Sequence, residues 1–148
     1  RGKKKFFFFT KINWKDGMST MIFSDYVKYV NGKLYSCDIS SKNIENAKKF
    51  TKMNKEFITF IEDDSLNFLS GFKKNIDFLY LDSLDAQFEK APFHQLEEIK
   101  LAIKNLKKSS LVLLDDKGGK TNLSIDFMLR NNFQIINETR EQVLLSYK

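Results

Sequence analysis

Cysteine, proline and histidine each occur once in this 148-residue chain, as Cys37, Pro92 and His94, and there are only six glycines. A lone cysteine excludes an internal disulfide and fits a reducing cytoplasm. The glycines nowhere form the Gly-x-Gly-x-x-Gly turn of a nicotinamide dinucleotide fold, which disfavours a nicotinamide-dependent oxidoreductase. No apolar run approaches the roughly 20 residues of a membrane helix, and Phe6 to Phe9 is far too short, so no membrane partner is expected. No secretory signal pattern is present either: the run after the basic head is brief and no small-residue cleavage site follows.

What the chain does have is a hydrophobic content of 42% with 14% aromatic residues, enough to fill one core, and we expect a single domain over 1–148. The net charge of +6 is unevenly spread. Arg1, Lys3, Lys4, Lys5, Lys11 and Lys15 against Asp16 place +5 of it in residues 1–16, an N-terminal segment that we expect to be atypical or truncated. The rest is close to neutral, with lysines interleaved among acids as on solvated helix faces, so nucleic acid is not expected as a partner.

Four apolar runs end in acids: residues 34–38 close at Asp38, 57–61 are followed by Glu62, Asp63 and Asp64, 78–82 close at Asp82, and 111–116 close at Asp115 and Asp116. Between them lie helical patterns. Ser19 or Thr20 starts a helix to about Val30, with Met21, Ile22, Tyr26 and Val27 facing inward and Asn31-Gly32 closing it. Further helices are predicted over 41–52 (Ile44, Ala47 and Phe50 inward) and 66–72. Another follows Pro92, with Phe93, Leu96, Ile99, Ile103 and Leu106 on one face, and the last spans 122–130. A Gly118-Gly119 loop precedes that last helix, and residues 133–137 and 142–147 form an antiparallel hairpin. With Phe6 to Thr10 as a central strand, this alternation predicts an α/β fold. We expect a doubly wound, mostly parallel Rossmann-like sheet in three α/β/α layers, with a C-terminal antiparallel hairpin. Ligands in such sheets bind beyond the carboxyl ends of the strands, where the acids stand.

Taken in order, Gly17-Met18-Ser19-Thr20, residues 35–40, Asp63-Asp64-Ser65, residues 79–83, 113–116 and the closing 142–146 resemble the class I S-adenosylmethionine-dependent methyltransferases, in particular the small bacterial O-methyltransferase-like branch. The resemblance covers about 130 residues. It implies S-adenosylmethionine as cofactor, with Gly17, Ser19 and Thr20 beside its methionine carboxylate at a helix N-terminus. Asp38, 21 positions after Gly17, would accept the ribose hydroxyls, and Asp64 with Ser65 would meet the adenine end. Helix capping is the competing role for Ser19, Asp38, Asp64 and Ser65.

On the acceptor side the resemblance implies Mg²⁺ held by Asp82, Asp115 and Asp116, three like charges that a hard cation keeps ionised, lowering the pKa of an acceptor hydroxyl. The residues offered for proton transfer are Asp82, Asp85, where relatives carry His or Lys, and His94. The implied activity is cation-assisted O-methylation of a small hydroxylated molecule or glycosyl group. Lys11 and Asn13 stand where the family places an acid and a glycine, and both oppose cofactor binding. They keep a second class open, a non-catalytic methyltransferase-like binding module.

Overall fold

A computed structural model describes residues 18–148, which fall into two compact units: Arg1–Glu62, of which 18–62 are described, and Asp63–Lys148. Gly17, Lys11, Asn13, Trp14 and the strand expected over 6–10 lie outside the described residues.

The first unit contains α1 (Met18–Tyr29), β1 (Leu34–Asp38), α2 (Ser41–Phe50), a 3₁₀ turn (Lys52–Phe57) and β2 (Ile58–Glu62). β1 and β2 pair in parallel, with Asp38 opposite Glu62. Helix α1 ends as its Asn31-Gly32 suggests, since Asn31 takes the left-handed backbone (φ 53) and Gly32 N–H caps Val27 O at 2.7 Å. Its inward face differs from the one expected. Ile22 is 55% and Tyr26 63% exposed, and the buried residues are Thr20 and Ser24. Polar bonds explain the choice: Thr20 Oγ1 meets Ser36 Oγ on β1 at 2.8 Å, and Asn54 Nδ2 donates to Ser24 Oγ at 3.0 Å and Asp25 Oδ1 at 2.6 Å. In α2, Ile44 and Ala47 are buried as expected, whereas Phe50, the last helical residue, is exposed.

The second unit runs α3 (Ser65–Gly71), β3 (Ile76–Leu81), α4 (Ala91–Ala102), β4 (Leu106–Asp115), α5 (Asn122–Arg130), β5 (Phe133–Glu138) and β6 (Gln142–Tyr147). Its mixed sheet has the order β3-β4-β6-β5; β3 and β4 are parallel, and β6 runs antiparallel to both β4 and β5. Register stacks buried aliphatics in rows across three strands: Leu79, Val112 and Leu145 form one, and Leu81, Leu114 and Val143 the next. Because side chains alternate, Tyr80 and Leu113 point to the opposite face. The same register sets Leu81 beside Leu114, so the residues that follow, Asp82 and Asp115, emerge side by side. Helix α4 touches α3 and α5, and Pro92 sits in its first turn, where its missing N–H costs nothing. Its buried face is Ala91, Gln95, Glu98, Ile99 and Ala102, displaced from the expected one, and Phe93 is 63% exposed. Among the described residues no helix is long and apolar enough to cross a membrane.

Candidate functional site

In the first unit, Asp38 closes β1. Its Oδ1 accepts from Ser40 N–H at 2.8 Å and its Oδ2 from Asn43 Nδ2 at 3.1 Å, while Ser40 itself caps α2. The carboxylate is half-buried and held in one orientation by the start of the next helix. Ser19 and Thr20 lie inside the first turn of α1, and the Thr20 hydroxyl is committed to Ser36.

In the second unit, Asp64 is the N-cap of α3, accepting from Leu66 N–H at 2.8 Å. Ser65 Oγ stands 3.1 Å from His94 Nε2, which is itself 3.7 Å from Glu98 Oε1. Glu98 is 1% exposed and accepts from Ser83 Oγ at 2.7 Å, while its Oε2 and both amide atoms of Gln95 are buried without a hydrogen-bond partner among the described residues. Burial pushes the Glu98 carboxyl above its usual range, against the opposing pull of the Ser65 and Ser83 hydroxyls, His94 and Lys120. Asp85 is exposed; its Oδ2 accepts from the Gln87 amide at 3.4 Å and its carbonyl from Phe88 N–H at 3.0 Å.

The three acids assigned to Mg²⁺ do converge, but on a lysine and a tyrosine. Lys120, its side chain 0% exposed, places Nζ 3.3 Å from Asp82 Oδ1, 3.0 Å from Asp116 Oδ2, 3.0 Å from Ser83 O and 3.3 Å from Leu84 O. Tyr80 O–H donates to Asp115 Oδ2 at 2.6 Å and lies 3.2 Å from Asp82 Oδ2. Burial, then the neighbouring Asp115 and Asp82, hold the Tyr80 phenol well above its ordinary range. Asp82 is raised too, first by the partial burial of a side chain that stays 46% exposed and then by Asp115, with Lys120 and Tyr80 opposing.

A divalent ion does not fit this arrangement. The positive charge the acids require is already supplied by the ammonium, and among the described residues no group of three or more His, Cys, Asp or Glu side chains could hold a metal ion.

Sequence reasoning missed Lys120, reading its neighbourhood as a glycine loop. One local signal was available. Lys120 directly precedes the N-cap Thr121 of α5, an end of a helix that disfavours positive charge, so a lysine there needs a special partner. Gly119 makes the approach possible, because a Cβ at that position would stand 2.7 Å from the Ala86 Cβ.

A family model described as a methyltransferase domain matches residues 14–117. The chain belongs to this methyltransferase family. Its fold is the class I methyltransferase fold, α/β with a mixed sheet, as solved structures bear out. The SAH-bound methyltransferase PaMTH1 of Podospora anserina superposes with a TM-score of 0.71 at 12% identity, covering 90% of this chain and 68% of that one. An rRNA methylase from Streptococcus thermophilus gives 0.57 at 14% identity, covering 78% and 73%. A ribosomal protein L11 methylase from Lactobacillus delbrueckii subsp. bulgaricus gives 0.62 at 16%, covering 87% and 65%. No curated protein matches the methyltransferase chain. The comparison corrects the expectation drawn from charge: because rRNA methylases share this fold, the exclusion of nucleic acid does not stand.

Proposed function

We propose that this chain binds S-adenosylmethionine and transfers a methyl group to an acceptor hydroxyl. The observation that carries this reading is the family match over residues 14–117, a span that includes the strand-end acids Asp38, Asp82 and Asp115. Asp38 suits the cofactor's ribose. Ser40 and Asn43 orient its two oxygens, and a carboxylate oxygen that accepts one bond keeps a second lone pair for a hydroxyl. When bound, the cofactor supplies an electrophilic methyl group on a sulfonium.

Asp82 is the acid–base group of the proposal. Its raised proton affinity makes it a stronger base than an ordinary aspartate, suited to take the hydroxyl proton as the acceptor oxygen attacks in a single inverting displacement. No step runs through a metal ion. The acceptor hydroxyl stands on a small hydroxylated molecule or glycosyl group. A second reading keeps the chemistry and places it on RNA, and the observation favouring it is that rRNA methylases share the fold.

Titration calorimetry with S-adenosylhomocysteine tests the cofactor assignment. The wild-type protein should bind, and Asp38→Ala should weaken binding by about 1.5 to 3 kcal/mol, the worth of charge-assisted hydrogen bonds. No binding by the wild-type protein overturns the reading. Binding without transfer of a labelled methyl group to hydroxylated small molecules or RNA would mark a non-catalytic module.

A further inference from the structure

The disagreement between the expected metal and the observed lysine can be taken further. Two carboxylate oxygens and two backbone carbonyls surround Lys120 Nζ, an all-oxygen set of the kind that hard divalent cations take. Its distances of 3.0 to 3.3 Å are those of ammonium contacts; a bound Mg²⁺ or Ca²⁺ needs oxygens at about 2.1 to 2.5 Å. Two of the four partners belong to residues with left-handed backbone, Leu84 at φ 52 and Asp116 at φ 59. A leucine holds that conformation only where surrounding contacts over-determine it, whereas an aspartate enters it more readily. The strained backbone at Leu84 therefore accompanies a carbonyl oxygen turned toward one positive charge. That charge is buried completely, is carried by the residue that directly precedes the N-cap of α5, and belongs to a loop that Gly119 lets pass against Ala86.

We propose that Lys120 is a built-in cation that takes the place of a divalent ion. It is a positioning residue that holds Asp82 against Asp116 and renders the site independent of metal. Asp115 is served separately, through the Tyr80 hydroxyl, so all three acids are satisfied without an ion. The consequence for catalysis rests on the role proposed for Asp82, but the ion balance does not, and the two can be tested apart. Removing the ammonium should leave an oxygen-lined cavity with uncompensated carboxylates, that is, a divalent-cation site that the wild-type protein lacks.

The experiment uses MnCl₂ alone, with no cofactor or acceptor present. Wild-type protein should bind no Mn²⁺ at millimolar concentration, by calorimetry or by loss of the free-ion paramagnetic resonance signal, and EDTA should leave its thermal midpoint unchanged. Lys120→Ala should have a lower midpoint, gain Mn²⁺ binding, and recover several degrees on adding the ion. Asp116→Asn in the Lys120→Ala background should abolish that gain. A lysine that merely fills space would produce no ion response, so a folded Lys120→Ala that ignores Mn²⁺ overturns the proposal, as does wild-type Mn²⁺ binding that Asp82→Asn removes. Should Lys120→Ala not fold unaided, its refolding with and without MnCl₂ is the readout: ion-dependent recovery supports the proposal, and its absence overturns it. Failure to bind S-adenosylhomocysteine would overturn the proposed function and leave these ion measurements untouched.

Discussion

Among the described residues the two units differ in how much of what they bury is apolar. In the second, rows of aliphatic side chains run across the sheet and merge with Leu69, Ile99, Ala102, Leu106, Met128 and Phe133 into one apolar core. In the first, the buried apolar side chains among the described residues are Ile44 and Ala47, beside the buried polar side chains of Thr20, Ser24, Thr51 and Asn54. A core built of area is stabilised by the hydrophobic effect, which is non-directional, whereas an interior of hydroxyls and amides depends on each bond having its partner. Lys120 lies in the second unit, where the oxygens around it come from the loops that follow β3 and β4.

The largest expected effect tests the apolar side of that contrast. Phe133 is fully buried and its ring centroid lies 4.0 Å from that of Tyr147, its cross-strand partner on β6. Phe133→Ala should cost about 3 to 5 kcal/mol in urea unfolding, combining lost transfer energy with the cavity left behind. A cost near that of a surface substitution would mean that the second unit is not held by its core.

Next comes the polar interior of the first unit. Asn54→Ala removes the donor to both Ser24 Oγ and Asp25 Oδ1, and about 1 to 3 kcal/mol should be lost. A double-mutant cycle with Ser24→Ala should show strong coupling, because the two residues share one bond. Additive losses would deny that the bond organises the unit.

The smallest effect concerns Glu98, a buried carboxyl in the second unit, which also buries the polar side chains of Gln95, Asn105 and Lys120. Its carboxyl binds a proton more tightly folded than unfolded, so the native state carries more protons through the ordinary glutamate range. Stability from this group is present below the unfolded value and is lost as pH rises through the raised folded one. Glu98→Gln should therefore be the more stable protein at neutral pH, with the advantage shrinking toward about pH 4. Parallel curves of urea midpoint against pH for the two proteins would show that Glu98 ionises without penalty.

Local order along the chain was legible without coordinates. Alternating strands and helices, the stop at Asn31-Gly32, the bounds of α5 and the terminal hairpin all follow from short-range chemistry: hydrophobic period, capping residues and turn formers. The acids at the ends of β3 and β4 were legible too, because parallel register brings consecutive strand ends together. Which face of α1 and α4 turns inward was not. Periodicity marks a stripe of apolar residues, but the interior in these places also accepts Thr20, Ser24, Gln95 and Glu98, three of which find hydrogen-bond partners there.

The same division governs the site. The acids and their spacing are properties of the chain read alone, and so is the requirement that converging like charges be compensated. The identity of the compensating charge is not, because Lys120 lies 38 positions from Asp82 and meets it only through the turn at Gly119 and the left-handed backbone of Leu84 and Asp116. Contacts between residues so far apart leave no periodic trace in a sequence, since they depend on how two loops close over each other. Composition thus posed the electrostatic problem, and folding chose a lysine over an ion to solve it.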